Sequence, residues 1–111
     1  MARELVVVLI TAPRGGGPEI ARRLLEDRLA ACVNIIPARS LYWWQGSIED
    51  DQEDLLIVKT KRCLLESLEA RVREIHPYTV PEIVAVRPVH VLDTYASWAA
   101  EETRECPGGE E

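Results

Sequence analysis

Strand and helix signals alternate along this chain in the order strand, helix, strand, strand, helix, strand, helix, with two helical crossovers on either side of one central hairpin. That order predicts an α+β fold of the ferredoxin-like, split βαβ kind. Two crossover units lay both helices on one face of an antiparallel sheet, with a long β-hairpin and a C-terminal helix added. The hairpin supplies a further observation: Ser40-Leu41-Tyr42-Trp43-Trp44-Gln45-Gly46 has no polar face. Successive strand residues point to opposite sides of a sheet, so Trp43 and Trp44 cannot share one core. A chain of 111 residues builds one modest core. Either its own helices cover the second surface or, more simply, another copy of the chain does.

Each element has a local reason. Residues 5–10, Leu-Val-Val-Val-Leu-Ile, are a continuous aliphatic run, the mark of a central strand covered on both faces. Pro13-Arg14-Gly15-Gly16-Gly17-Pro18 breaks that run, and Ala21, Leu24, Leu25 and Leu29 then recur at helical spacing opposite Arg22, Arg23, Glu26 and Asp27. Residues 32–36 read as a second strand, interrupted by Pro37 and continued through residues 41–44 to Gly46. An unbroken strand there would span about 45 Å at 3.3 Å per residue, so a bend or bulge is expected near Pro37.

The polar run Glu49-Asp50-Asp51-Gln52-Glu53-Asp54 is expected to be the solvated tip of the hairpin, its like charges discouraging edge aggregation. Residues 55–60 resume as the third strand, antiparallel to the second. Leu64, Leu65, Leu68, Val72 and Ile75 mark a second helix, ended at His76-Pro77 because the residue before proline resists helical geometry. Residues 83–86 give the fourth strand. A last helix starts from Asp93, a good N-cap, and passes through Ala96, Trp98 and Ala99 to about Arg104. Residues 1–105 therefore form one domain, and residues 106–111 a flexible tail.

Composition excludes several classes of function. At 47% hydrophobic and 29% charged residues the chain is an ordinary globular domain. A formal net charge of -6 works against nucleic-acid and anionic-membrane partners, which require positive surface charge. The apolar run of residues 5–10 is too short to cross a bilayer and has no cleavage pattern after it, so no membrane anchor is expected and the cytoplasm is the default compartment. Cys32, Cys63 and Cys106 are odd in number, widely spaced and without a CxxC pair, a pattern that favours reduced thiols, with Cys32 a small buried hydrophobe.

Five motifs stand in one order: Thr11-Ala12-Pro13; Leu29-Ala30-Ala31-Cys32-Val33-Asn34-Ile35-Ile36-Pro37; Ser40-Leu41-Tyr42-x-Trp44-x-Gly46; Lys59-Thr60; and His76-Pro77-Tyr78-x-x-Pro81-Glu82-Ile83. Together, from about Leu5 to Trp98, they resemble the CutA divalent-cation-tolerance proteins. The resemblance implies a ferredoxin-like subunit in a tight homotrimer whose long hairpin strands pair across subunits. It also implies architectural kinship with the nitrogen-regulatory signalling trimers and a role in divalent-metal tolerance, with copper binding in some members. The family's copper pattern has a Cys before Thr-Ala-Pro and two His before Pro-Tyr. Those positions here are Ile10, Ile75 and His76, so only one of the three ligands remains.

The candidate chemistry is correspondingly sparse. His76, at a helix end, is the candidate metal ligand, with Cu(II) the best-bound divalent ion by the general affinity order; the alternative is that it caps the helix. His90 is read as a surface residue. The glycine run lacks the Gly-Lys-Ser/Thr ending of a phosphate loop and is read as a flexible connection. The acidic run lacks calcium-loop spacing. No serine has an elbow motif or a placed His-acid pair, so no enzyme is expected. Tyr42, Trp44, Lys59, Tyr78 and Glu82 lie in the family-like motifs and are candidates for a ligand cleft between subunits, or for contacts that fasten the trimer. Two functions follow. One is a non-enzymatic metal-tolerance trimer with no obligatory cofactor and at most a weakly bound divalent metal; the other is a small-ligand sensor using the intersubunit cleft.

Overall fold

The aliphatic run that opens the chain becomes β1 (Leu5–Pro13), an inner strand hydrogen-bonded on both sides. In the computed structural model, which describes residues 3–109, it is followed by α1 (Gly17–Glu26), β2 (Cys32–Trp44), β3 (Ser47–Lys61), α2 (Leu65–Ile75), β4 (Ile83–Val86) and α3 (Asp93–Glu102). The sheet is antiparallel throughout, in the order β2-β3-β1-β4. This is the split βαβ topology that the order of elements predicts.

Alternation along the strands sorts the sheet into two faces. Val8, Ile10 and Ala12 of β1, with Leu56 and Val58 of β3, point to the side where α1 contributes Ile20, Ala21 and Leu24 and α2 contributes Leu68 and Val72. That is the core. Leu29 lies beyond α1 rather than inside it, yet it is buried in the same cluster. It is brought there by a turn in which Arg28 takes φ 58°, the Leu29 N–H reaches the Leu24 carbonyl at 3.0 Å and the Arg28 N–H reaches the Leu25 carbonyl at 3.0 Å. These are the two bonds of a Schellman-type helix end. α2 stops at Ile75 with His76 extended, as the His76-Pro77 step requires. α3 begins one residue earlier than an Asp93 cap would set it: Leu92 is its N-cap and Asp93 its first residue.

The second and third strands differ from expectation in two linked ways. The β2–β3 register runs without interruption from Cys32↔Lys59 to Trp44↔Ser47, with Pro37 opposite Asp54 and no bulge. β2 is an edge strand, and an edge tolerates a proline whose nitrogen faces away from its only neighbour. Its 13 residues span about 43 Å, which sets the molecule's 44 Å long axis. The hairpin turn is Gln45-Gly46, both with positive φ (51° and 84°), as a two-residue type I′ connection demands. The acidic run is therefore not the tip but the upper part of β3.

The cysteines depart further. Cys63 and Cys106 form a disulfide across a sequence separation of 43, and Cys32 is a half-buried free thiol. Cys106 is buried and is followed by a single 3-10 turn at Pro107–Gly109. The tail read as flexible from residue 106 is thus anchored at its first residue; Glu110 and Glu111 lie outside the described residues.

Candidate functional site

Splitting of the acidic run by strand alternation builds the most polar part of the molecule. Asp54, on the helix side of β3 and buried, accepts hydrogen bonds from the Gly15 N–H at 2.9 Å and the Gly17 N–H at 3.0 Å. Arg14 Nε stands 3.4 Å from its other oxygen. The glycine segment does hold an anion, but the anion is the chain's own carboxylate, so the segment is a fixed element rather than a flexible connection. Gly17 is required there, because a Cβ would come within 2.9 Å of Asp54.

Asp51 and Glu53 point to the opposite face, two residues apart on one side of β3. The Tyr42 hydroxyl donates to Asp51 Oδ2 at 2.5 Å, and the Tyr78 hydroxyl donates to Glu53 Oε2 at 2.7 Å. The bond to Asp51 pushes the Tyr42 hydroxyl up to about 12. Tyr78 is raised as well, first by burial and then by its bond to Glu53. Arg14 ties this corner together, donating to the Glu53 carbonyl at 3.1 Å and to the Ala38 carbonyl at 3.1 Å. Asp50, on the other side of the hairpin, is held by both arms of Arg39 at 2.9 and 2.7 Å, which keeps its carboxyl below the usual range.

His76 stands behind Tyr78, with ring centroids 4.8 Å apart. Its residue is only 8% exposed. Nε2 lies 2.7 Å from the Thr11 carbonyl and so carries the proton it donates, while Nδ1 accepts the Tyr78 N–H at 3.0 Å. Both nitrogens are committed to the backbone, and no lone pair is left for a metal. The exposed imidazole that the metal-ligand alternative needs is instead a buried cross-brace between β1 and the segment after α2. Ile10 and Ile75, at the other two positions of the copper pattern, pack in and against the core. Among the described residues no group of three or more His, Cys, Asp or Glu is arranged to hold a metal ion. His90 is exposed.

The five cleft candidates do not converge within one chain. Tyr42 and Tyr78 share the Asp51–Glu53 corner. Trp44 lies beyond them at the hairpin turn, opposite Ser47. Lys59 lies six residues along β3 from Glu53, about 20 Å away, where its ammonium meets the Asn34 side-chain oxygen and the Ile57 carbonyl. Glu82 is exposed just before β4. Sequence reading missed Arg14, Asp51, Glu53 and Asp54 as site-builders. For the three acids the signal was the polar run itself, which, laid out as a strand, sends neighbours to opposite faces.

A four-stranded split βαβ sandwich with a projecting hairpin and a tyrosine-carboxylate corner defines a class of small ferredoxin-like domains. Comparison with known proteins narrows that class. Residues 6–102 match the model of the family described as CutA1 divalent ion tolerance protein, and the chain belongs to that family. It is 50% identical to the divalent-cation tolerance protein CutA of Thermus thermophilus, over 87% of this chain and 96% of that protein. It is 42% identical to the chloroplastic protein CutA of Arabidopsis thaliana over 89% of this chain, but spans only 56% of that relative's length. The solved structure of CutA from Archaeoglobus fulgidus, described as a periplasmic divalent cation tolerance protein, superposes with a TM-score of 0.86 at 39% identity, covering 88% of this chain and 97% of that one.

Proposed function

We propose that the chain works as a non-enzymatic homotrimer contributing to divalent-cation tolerance, with no obligatory cofactor and only weak contact with divalent metal. The observation that carries this reading is the projecting hairpin, where Leu41, Trp43, Trp44 and Ile48 are 63%, 72%, 45% and 62% exposed. A two-stranded ribbon with tryptophans on both sides is marginal in water and becomes stable when another surface covers it. The sheet face away from α1 and α2 adds exposed Ile36, Val84 and Val86. Closed cyclic assembly, the usual state of soluble homo-oligomers, would cover both regions with copies of the same chain.

Copper, where bound, is held weakly in this reading. The Cys and second His of the family's pattern are replaced, His76 is engaged, and the exposed His90 offers a single imidazole. Calorimetric titration of the reduced protein with Cu(II) and Zn(II) tests this. Weak Cu(II) binding, diminished by His90→Ala, is expected; nanomolar binding lost on His76→Ala without loss of fold would overturn it. A second reading, a small-ligand sensor akin to the nitrogen-regulatory trimers, draws support from Tyr42, Tyr78 and Lys59, which lie on one sheet face and would border a cleft once copies pack together. A metabolite retained in a native mass spectrum of untreated protein would favour it. No described helix is long and apolar enough to cross a membrane. Disulfides persist in oxidising compartments, so a cytoplasmic working site, the default set by the sequence, goes with a chain whose Cys63–Cys106 bridge is open.

A further inference from the structure

Within a single chain α3 is the least embedded helix. It buries only Ala99, and Trp98 remains substantially exposed. It lies on the sheet face opposite α1 and α2, over the foot of β1, β2 and β3, where Leu5 and Lys61 are buried and the pKa of Tyr95 is raised first by burial and then by the neighbouring Cys32 thiol. What holds α3 there is largely polar. Lys61 Nζ donates to the Ala100 carbonyl at 3.1 Å, and Arg28 bonds the Glu102 carbonyl at 3.0 Å and its carboxylate at 2.8 Å. The Arg104 N–H donates to the Arg28 carbonyl at 2.9 Å, and its guanidinium to the Asp27 carbonyl at 2.7 Å. Among these contacts the one charge pair, Arg28–Glu102, is exposed and contributes little.

Past α3 the chain crosses the foot of the sheet from one layer to the other and is tied by Cys106 to Cys63, in the single turn that leads into α2. The bridge therefore joins the weakly packed layer to the helix layer of the core. We propose that it is a redox-operated strap: closed, it keeps α3 seated over the foot of the sheet; opened by a dithiol reductant, it lets α3 lift and uncovers Cys32. The chemistry is two-step exchange. A reductant thiolate attacks the Cys63 sulfur, which is the more exposed of the pair, and the S–S electron pair departs with Cys106, which takes up a proton. The second reductant thiol then displaces Cys63 from the mixed disulfide. The reductant leaves as a disulfide and the chain gains two thiols.

The test compares the full chain in three forms: oxidised, reduced with dithiothreitol, and the Cys63→Ser/Cys106→Ser variant, in which Cys32 is the remaining thiol. Hydrogen exchange should quicken by at least about tenfold across residues 93–102 in both open forms while β1 and α2 keep their protection. Alkylation of Cys32 in the serine variant should accelerate by a similar factor over the oxidised wild type. Exchange across residues 93–102 that is the same in oxidised and reduced wild-type protein would overturn the proposal, whether or not the serine variant folds.

Discussion

β3 passes through two environments in one uninterrupted strand. In its lower half Leu56, Val58 and Thr60 are fully buried under α1 and α2, whereas in its upper half Ile48, on the same side of the strand, is 62% exposed beside Leu41 and Trp43. The β2 partner and its register are the same in both halves, but only the lower half also pairs with β1. The lower half meets helices of its own chain, whereas the upper half, acidic through residues 49–54, holds Ile48 beside Leu41 and Trp43 with no helix over them. Local pattern thus specifies strand and face, whereas in the proposed homotrimer the cover of the upper half comes from other copies.

The largest way to break this contrast is Trp44→Asp, which places a charge in the proposed contact between copies. Its expected outcome is loss of the oligomer at micromolar concentration, read by light scattering. Leu56→Ala, its counterpart in the lower half, should instead lower unfolding stability by about 2–5 kcal/mol through a cavity in the core, read by chemical denaturation. An oligomer lost in both variants, or in neither, would erase the distinction between the two halves.

At the boundary between the halves, Asp54→Ala should cost about 1–3 kcal/mol, because it leaves the Gly15 and Gly17 N–H groups without their acceptor. Denaturant unfolding of the variant against wild type measures it, and a loss near zero would mean that water replaces the carboxylate at the start of α1.

The smallest effect concerns the tyrosine corner. Tyr42 must keep its proton to donate to Asp51, and its folded pKa is pushed up to about 12 from the ordinary value of 10.0. The stabilisation is therefore fully present below pH 10 and is lost as pH rises through about 12. Tyr42→Phe should flatten part of the alkaline fall in melting temperature. An unchanged pH profile would show that this bond contributes nothing to folding.

The elements legible in the sequence were those set by neighbours along the chain. The order of strands and helices, the inner position of residues 5–10, the two-sided hairpin and the stop at His76-Pro77 all follow from local periodicity and proline geometry. The misread features depend on residues far apart. Pro37 suggested a break, but an edge strand has a side on which a missing N–H costs nothing. The acidic run suggested a loop, but alternation sends Glu53 to Tyr78 and Asp54 to the start of α1, so each carboxylate finds donors that no local window contains. His76 is braced by Thr11, 65 residues away, and Cys63 meets Cys106 across 43 residues. An odd cysteine count cannot reveal such a pairing. Of the candidate site, Tyr42 and Tyr78 were legible as polar aromatics in family-like motifs, whereas the carboxylates that hold them were not.

In the proposed trimer the uncovered upper half of the hairpin and the open sheet face are covered by other copies of this chain. Light scattering on the untreated wild-type protein at micromolar concentration should then show a single species with the mass of three chains; a stable monomer of 12.5 kDa, with its tryptophans in water, would overturn it.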